Sequence, residues 1–167
     1  MEFRIVPGDA AEVAHGHLSP QEICRLNAHL KARDVSEKFP DALVLGADTL
    51  VFLGSEILGK PADFADAKRM LALLQGRTHQ VVTGVSLIHQ RRRRERLFAV
   101  STEVTFLRLT SEQIQEYLSK VNPLDKAGAY AIQEHGRMIV SKISGSHSNV
   151  VGLPLERLRA ELAAWKA

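Results

Sequence analysis

The sequence predicts an α/β fold, a mixed sheet with flanking helices, and three observations predict it. Apolar runs of strand length alternate with stretches of helical periodicity. Two helix starts carry capping boxes, Ser19-Pro20-Gln21-Glu22 and Thr110 to Gln113. Two strand-like segments, Val81 to His89 and Leu97 to Leu109, flank Gln90 to Arg96 and read as a β-hairpin. Strands and helices mixed along one chain give an α/β architecture.

The elements follow in order. Phe3 to Val6 reads as a short strand end, broken by Pro7-Gly8-Asp9. Ser19 caps a helix, with Pro20 at its first position and Ile23, Leu26 and Leu30 on one face; it runs to about Lys38 and stops before Pro40. Ala42 to Ala47 is a buried strand that ends in Asp48-Thr49. Gly59-Lys60-Pro61 is a loop. From about Asp63 a helix turns Ala67, Met70, Leu71 and Leu74 inward, with Gly76 as its stop. After the hairpin, the helix opened by Thr110 turns Ile114, Tyr117 and Leu118 inward. Ala129 to Ile132 and Met138 to Ile143 read as short strands, and Leu155 to Trp165 as a closing helix.

The bulk numbers bound the class. A chain of 167 residues is one ordinary domain, residues 1–167, with no repeat or long linker. With 45% hydrophobic and 25% charged residues it has the composition of a soluble globular protein. A net charge of +3 is too mild to imply nucleic-acid binding. The single cysteine, Cys24, excludes an internal disulfide and fits a reducing compartment. The start Met1-Glu2-Phe3-Arg4 has no signal-peptide pattern, and the most apolar stretch, Ala42 to Leu53, is too short to span a membrane. The expected location is the cytoplasm.

Chemistry has few candidate places. Asp48, a carboxylate at the end of a buried strand, suits catalysis or a capped turn equally by position. Lys60 sits in a constrained loop, where a phosphate contact competes with a plain exposed lysine. Asp125-Lys126-Ala127-Gly128-Ala129-Tyr130 puts both charge signs before small residues that let backbone approach closely. Gln133 follows a buried run; an amide reads a base edge with donor and acceptor, though alone it is more often a satisfied polar residue. The Gly- and Ser-rich stretch Gly145 to Pro154 matches no phosphate-loop spacing. Arg91 to Arg94 reads as a solvated hairpin tip rather than a nucleic-acid patch. His15 and His17 have no further ligands at zinc spacing, and Cys24 reads as a packing residue.

Taken together, these pieces resemble the Maf family of nucleotide pyrophosphatases. The resemblance rests on Ala47-Asp48-Thr49, Ile57-Leu58-Gly59-Lys60-Pro61, Ala67 with Met70-Leu71, Gly76-Arg77-Thr78-His79 and Val82-Thr83-Gly84-Val85. It continues through Asp125 to Tyr130, Ile132-Gln133, Ile143 to Ser146 and Asn149 to Pro154. Each motif is weak alone; the ordered set is specific. It implies a two-lobed fold around a cleft, related to the inosine triphosphate pyrophosphatases, and cleavage of a nucleoside triphosphate to a monophosphate and pyrophosphate. It implies Asp48 as catalytic proton acceptor and metal ligand, with Glu12 beside the metal. It implies Lys31, Lys60 and Lys126 at the phosphates, and Thr49 and Gln133 at the base. The cofactor implied is a divalent cation, Mg or Mn, which with the lysines offsets the triphosphate charge. Gly145 to Gly152 is closer to the dTTP/UTP branch than to the 7-methyl-GTP branch. The partners expected are a nucleoside triphosphate, with no membrane and no nucleic acid; a homodimer is admissible.

One departure accompanies the match. The family's N-terminal loop, Ser-x-Ser-Pro-Arg-Arg, is not found; Ser19-Pro20 has no following arginine, and Arg91 to Arg94 lie in the hairpin. Losing those arginines removes bidentate phosphate contacts. The rival expectation is therefore a catalytically weak or inactive Maf-like regulator of septum formation, with DNA binding through Arg91 to Arg94 a weaker third.

Overall fold

The computed structural model describes residues 3–13 and 17–166. His15, weighed above as a metal ligand, lies outside the described residues. The fold is α/β, with a five-stranded antiparallel sheet in the order β2-β1-β3-β4-β5 and flanking helices. The strands are β1 (Val44–Leu53), β2 (Glu56–Leu58), β3 (Thr78–His89), β4 (Arg94–Phe106) and β5 (Val140–Ser144). The helices are α1 (Pro20–Lys38), α2 (Phe64–Leu74), α3 (Ser111–Leu118), α4 (His147–Val151) and α5 (Leu155–Lys166). None of them is long and apolar enough to cross a membrane. The chain divides into two compact units, residues 1–48 with 83–100, and residues 49–82 with 101–167.

In the first unit, α1 begins as its capping box dictates. Glu22 Oε2 accepts from the Ser19 N–H at 2.8 Å, and Ser19 Oγ accepts from the Glu22 N–H at 3.4 Å. The buried side of α1 is Ile23, Cys24, Asn27, Ala28, Ala32 and Ser36. Leu26 and Leu30, expected inward, are only half-buried. Two glycines explain the choice. A Cβ at Gly84 of β3 would lie 2.1 Å from the Cys24 carbonyl oxygen, and one at Gly46 of β1 would lie 2.4 Å from that of Ala28. Bare backbone on the sheet lets the small side of α1 settle against it, and larger side chains would hold the helix off. Ala32, Val44 and Ile88 close the packing there, with Val35 against them. Arg93, with φ 49°, turns the β3–β4 hairpin, and Arg91 pairs with Asp41 at 2.9 Å.

The second unit carries the larger core. Leu71 and Leu74 of α2, Tyr117 of α3, Val81 of β3 and Val104 and Phe106 of β4 are buried together. Asp63 caps α2 and the Thr110–Gln113 box caps α3. β1 and β2 pair antiparallel with Val51 opposite Leu58, through a turn in which Gly54 has φ +61°. β4 and β5 pair antiparallel with Val104 opposite Ile143 and a register shift after Thr105.

Three expected elements differ. Phe3 to Val6 forms no strand, and Phe3 and Ile5 are exposed. Ala129 to Ile132 is not a strand: a short 3-10 turn, Ala127–Ala129, ends there because Gly128 and Ala129 take φ +70° and +63°, which no ladder admits. β1 does not end at Asp48 but continues to Leu53.

Candidate active site

Asp48 therefore sits in the middle of a strand, with β-branched and apolar neighbours extending the ladder past it. The inference from a strand's carboxyl end does not hold, yet the residue is unusual for another reason. Asp48 is a carboxylate only 5% exposed, and buried charge requires partners. It has two: Oδ1 accepts from Lys31 Nζ at 2.7 Å, and Oδ2 accepts from Asn27 Nδ2 at 3.0 Å. Asn27 and Lys31 are four residues apart, on one face of α1.

The same ammonium serves a second acid. Lys31 Nζ lies 2.7 Å from Glu12 Oε1, on the segment that precedes α1. Burial alone would lower the Lys31 pKa, but hydrogen bonds and charge from Asp48 and Glu12 outweigh it, and the net shift is upward. Glu12, Lys31 and Asp48, singled out from the sequence, thus form one connected group within the first unit. Among the described residues, no three His, Cys, Asp or Glu side chains gather as a metal cluster.

Thr49, Lys60, Lys126 and Gln133 belong to the second unit. Thr49 Oγ1 donates to the Gly152 carbonyl at 3.4 Å. The loops bearing Lys60 and Lys126 are tied together, because the Gly128 N–H donates to the Gly59 carbonyl at 3.0 Å. The small residues of this motif do bring backbone close: a Cβ on Gly128 would meet Val51 Cγ2 at 3.0 Å. Lys126 pairs with Asp125 at 3.1 Å and lies 3.7 Å from Glu134. The Lys126 ammonium bonded to Asp125 holds that carboxyl below the usual carboxylate range, with a lesser contribution from the charge of Lys60. Lys60 and Gln133 are exposed. A surface depression of about 410 Å³ lined by Lys38, Phe39, Pro40, Asp41 and Ala42 contains none of these residues.

A family profile described as Maf-like protein matches residues 1–165. The chain belongs to the Maf-like family. A relative from Moorella thermoacetica, named dTTP/UTP pyrophosphatase, is 47% identical over 165 residues, 99% of this chain and 85% of its own. Relatives with the same name from Akkermansia muciniphila and Carboxydothermus hydrogenoformans are 46% and 42% identical, covering 92% and 98% of this chain and 80% and 87% of their own.

Two features of this Maf-like chain escaped the sequence reading. Asn27 was one; its signal was a polar residue four positions before Lys31, beside the buried alanines of α1. The buried role of Asn149, a residue within the motifs that carry the resemblance, was the other. Asn149 is fully buried, and Nδ2 donates to the Val81 carbonyl and to Thr102 Oγ1, both at 3.0 Å. Ser146 caps α4, and its Oγ and that of Ser148 both donate to Glu156 Oε2 at 2.9 and 2.7 Å. These bonds buttress the turn of the Gly- and Ser-rich stretch.

Proposed function

We propose that this chain hydrolyses dTTP and UTP, each with one water, to the nucleoside monophosphate and pyrophosphate. The observation that carries the reading is the buried Asp48 carboxylate, oriented by an ammonium on one oxygen and an amide on the other. A carboxylate offers about four lone-pair positions, so beyond the bonds to Lys31 and Asn27 it retains capacity to accept a proton from water. In this reading the water oxygen bonds to the α-phosphorus as its proton passes to Asp48. The bond from that phosphorus to the bridging oxygen breaks, and pyrophosphate leaves with the bond electrons. The names of the relatives support the substrate class.

The donor chemistry fits a divalent cation of the magnesium type. Such an ion takes one or two carboxylates and completes its shell with waters and substrate phosphates. Glu12 and Asp48, two acids brought to one ammonium, supply that pair. When bound, the ion offsets phosphate charge. Lys31, expected with Lys60 and Lys126 at the phosphates, is paired with both acids and in this reading keeps them converged. Lys60 and Lys126 add point charges for the phosphates, and Thr49 and Gln133 stand as the base-selecting residues. A buried single cysteine fits a cytoplasmic setting.

The test is pyrophosphate release from a panel of dTTP, UTP, dATP, dGTP and 7-methyl-GTP, with Mg or Mn and with chelator. Release from dTTP and UTP ahead of the purines, abolished by chelator, is expected. Preference for 7-methyl-GTP contradicts the substrate reading.

A further inference from the structure

Asn27 is 1% exposed and lies on α1 beside Asp48 and the segment that carries Glu12. Its side chain makes three bonds. Oδ1 accepts from the Val13 N–H at 2.7 Å, and Nδ2 donates to the Val13 carbonyl at 3.0 Å and to Asp48 Oδ2 at 3.0 Å. Both amide hydrogens are used, one on the backbone and one on the carboxylate. Only one orientation of the amide satisfies this set. Turned over, it would set its oxygen against the carboxylate and its NH₂ against the Val13 N–H.

We infer that Asn27 is a positioning residue of the proposed pyrophosphatase: it clamps the Glu12–Val13 backbone and aims the Asp48 carboxylate with one rigid group. The inference rests on the catalytic reading of Asp48. A plain packing residue does not account for the geometry, since an apolar side chain of this size would fill the same volume. Lys31 also reaches both acids, but through a flexible four-carbon stem. The amide fixes direction as well as distance, and because Val13 follows Glu12 directly, holding the Val13 peptide limits where the Glu12 carboxylate can go. A misplacement of about 1 Å at a reacting group is enough to cost a hundredfold in rate.

Two variants separate the parts of the clamp. Asn27→Leu removes all three bonds and keeps the branching at Cγ, with a bulkier side chain whose packing cost the melting temperature reports. Asn27→Asp keeps an acceptor for the Val13 N–H but sets a second carboxyl against Asp48, so the pair either repels or holds a shared proton where the amide donated. Four quantities are read on the full chain: the exchange rate of the Val13 amide hydrogen, kcat and KM for dTTP, and the melting temperature. In Asn27→Leu, Val13 exchange is expected to rise at least tenfold and kcat to fall at least tenfold, with KM within about twofold. In Asn27→Asp, kcat falls similarly while Val13 stays protected. Unchanged Val13 exchange in Asn27→Leu, or a kcat within twofold of the parent in either folded variant, overturns the inference. So does a loss that only tracks the folded fraction. Should Asn27→Leu fail to fold, Asn27→Asp and the parent's own Val13 protection decide it, an unprotected parent amide ruling the clamp out. Asp48→Asn, run alongside, keeps the two claims apart: full activity there sinks the catalytic reading, whereas Val13 exchange reports the clamp whatever the substrate.

Discussion

Replacing Gly84 with alanine puts one methyl group where backbone already stands. The added Cβ would lie 2.1 Å from the Cys24 oxygen, 2.2 Å from its carbonyl carbon and 2.6 Å from the Arg25 nitrogen. Ordinary contact begins near 3.4 Å, so α1 and β3 must separate by about 1.3 Å. No side-chain rotation relieves a clash with a helix backbone. Overpacking costs about 1–3 kcal/mol and more where nothing yields, so about 3 kcal/mol is expected here. For a chain of this size, each kcal/mol moves the melting temperature by about 2–4 °C, giving a fall of roughly 6–12 °C. The same displacement carries Asn27 and Lys31 away from Asp48, to which they are bonded at 3.0 and 2.7 Å. Turnover should therefore drop roughly 10- to 100-fold even well below the melting point. Gly59→Ala is the control, since no atom lies within 4 Å of its Cβ and its backbone needs no left-handed φ; its melting temperature should be unchanged. Thermal melting and pyrophosphate release on the three proteins decide the matter. A Gly84→Ala protein that melts within about 2 °C of the parent and keeps its turnover refutes the close approach of α1 to the sheet.

Three further outcomes are expected. Burial of His79 lowers its pKa from 6.5 to about 4, so the unfolded chain takes up the proton first, and stability present above pH 6.5 is lost on acidification toward pH 4. Denaturant unfolding at pH 7 and pH 5 should show about 2 kcal/mol from this group, and His79→Phe should remove that part of the difference; an unaltered pH dependence in the variant excludes it. Lys31→Met leaves Asp48 with Asn27 and should cost about 2 kcal/mol, less than a fully buried pair because Lys31 is partly exposed. Since the folded pKa of Lys31 is raised above 10.5, its stabilisation is whole at neutral pH and lost above about pH 10.5; parent and variant curves that stay parallel in that alkaline range contradict the pairing. Lys60→Ala and Lys126→Ala should each raise KM for dTTP about tenfold at unchanged kcat, as lost uniform binding does, and an unaltered KM removes that lysine from the phosphate site.

Much of this molecule was legible because caps and periodicity are local. Ser19, Thr110 and Asp63 start helices where the sequence puts them, and Ala67, Met70, Leu71 and Leu74 bury as one stripe. The misses came from long-range packing. The buried face of α1 is set by Gly46 and Gly84, distant in sequence, so it passes through Cys24, Ala28 and Ala32 rather than Leu26 and Leu30. Ala129 to Ile132 has strand composition, but Gly128 turns the backbone and the Tyr130 hydroxyl anchors on His79 at 2.8 Å. At the site, Asp48, Lys31 and Glu12 were legible through a resemblance spread over the chain. Asn27 was not, because one amide inside a helix has no pattern until Val13 and Asp48 are brought to it.

The central claim is that Asp48 is the group that takes the proton from water. Asp48→Asn keeps the shape, but its amide must set an NH₂ or a less basic oxygen toward Asn27 and Lys31. That exchange should cost about 1–3 kcal/mol of stability, leaving the chain folded at 25 °C. Measured on the folded variant with saturating Mg and dTTP, pyrophosphate release should fall at least a thousandfold. Release within tenfold of the parent would show that the proton goes elsewhere and that the Asp48 group is a structural ion pair.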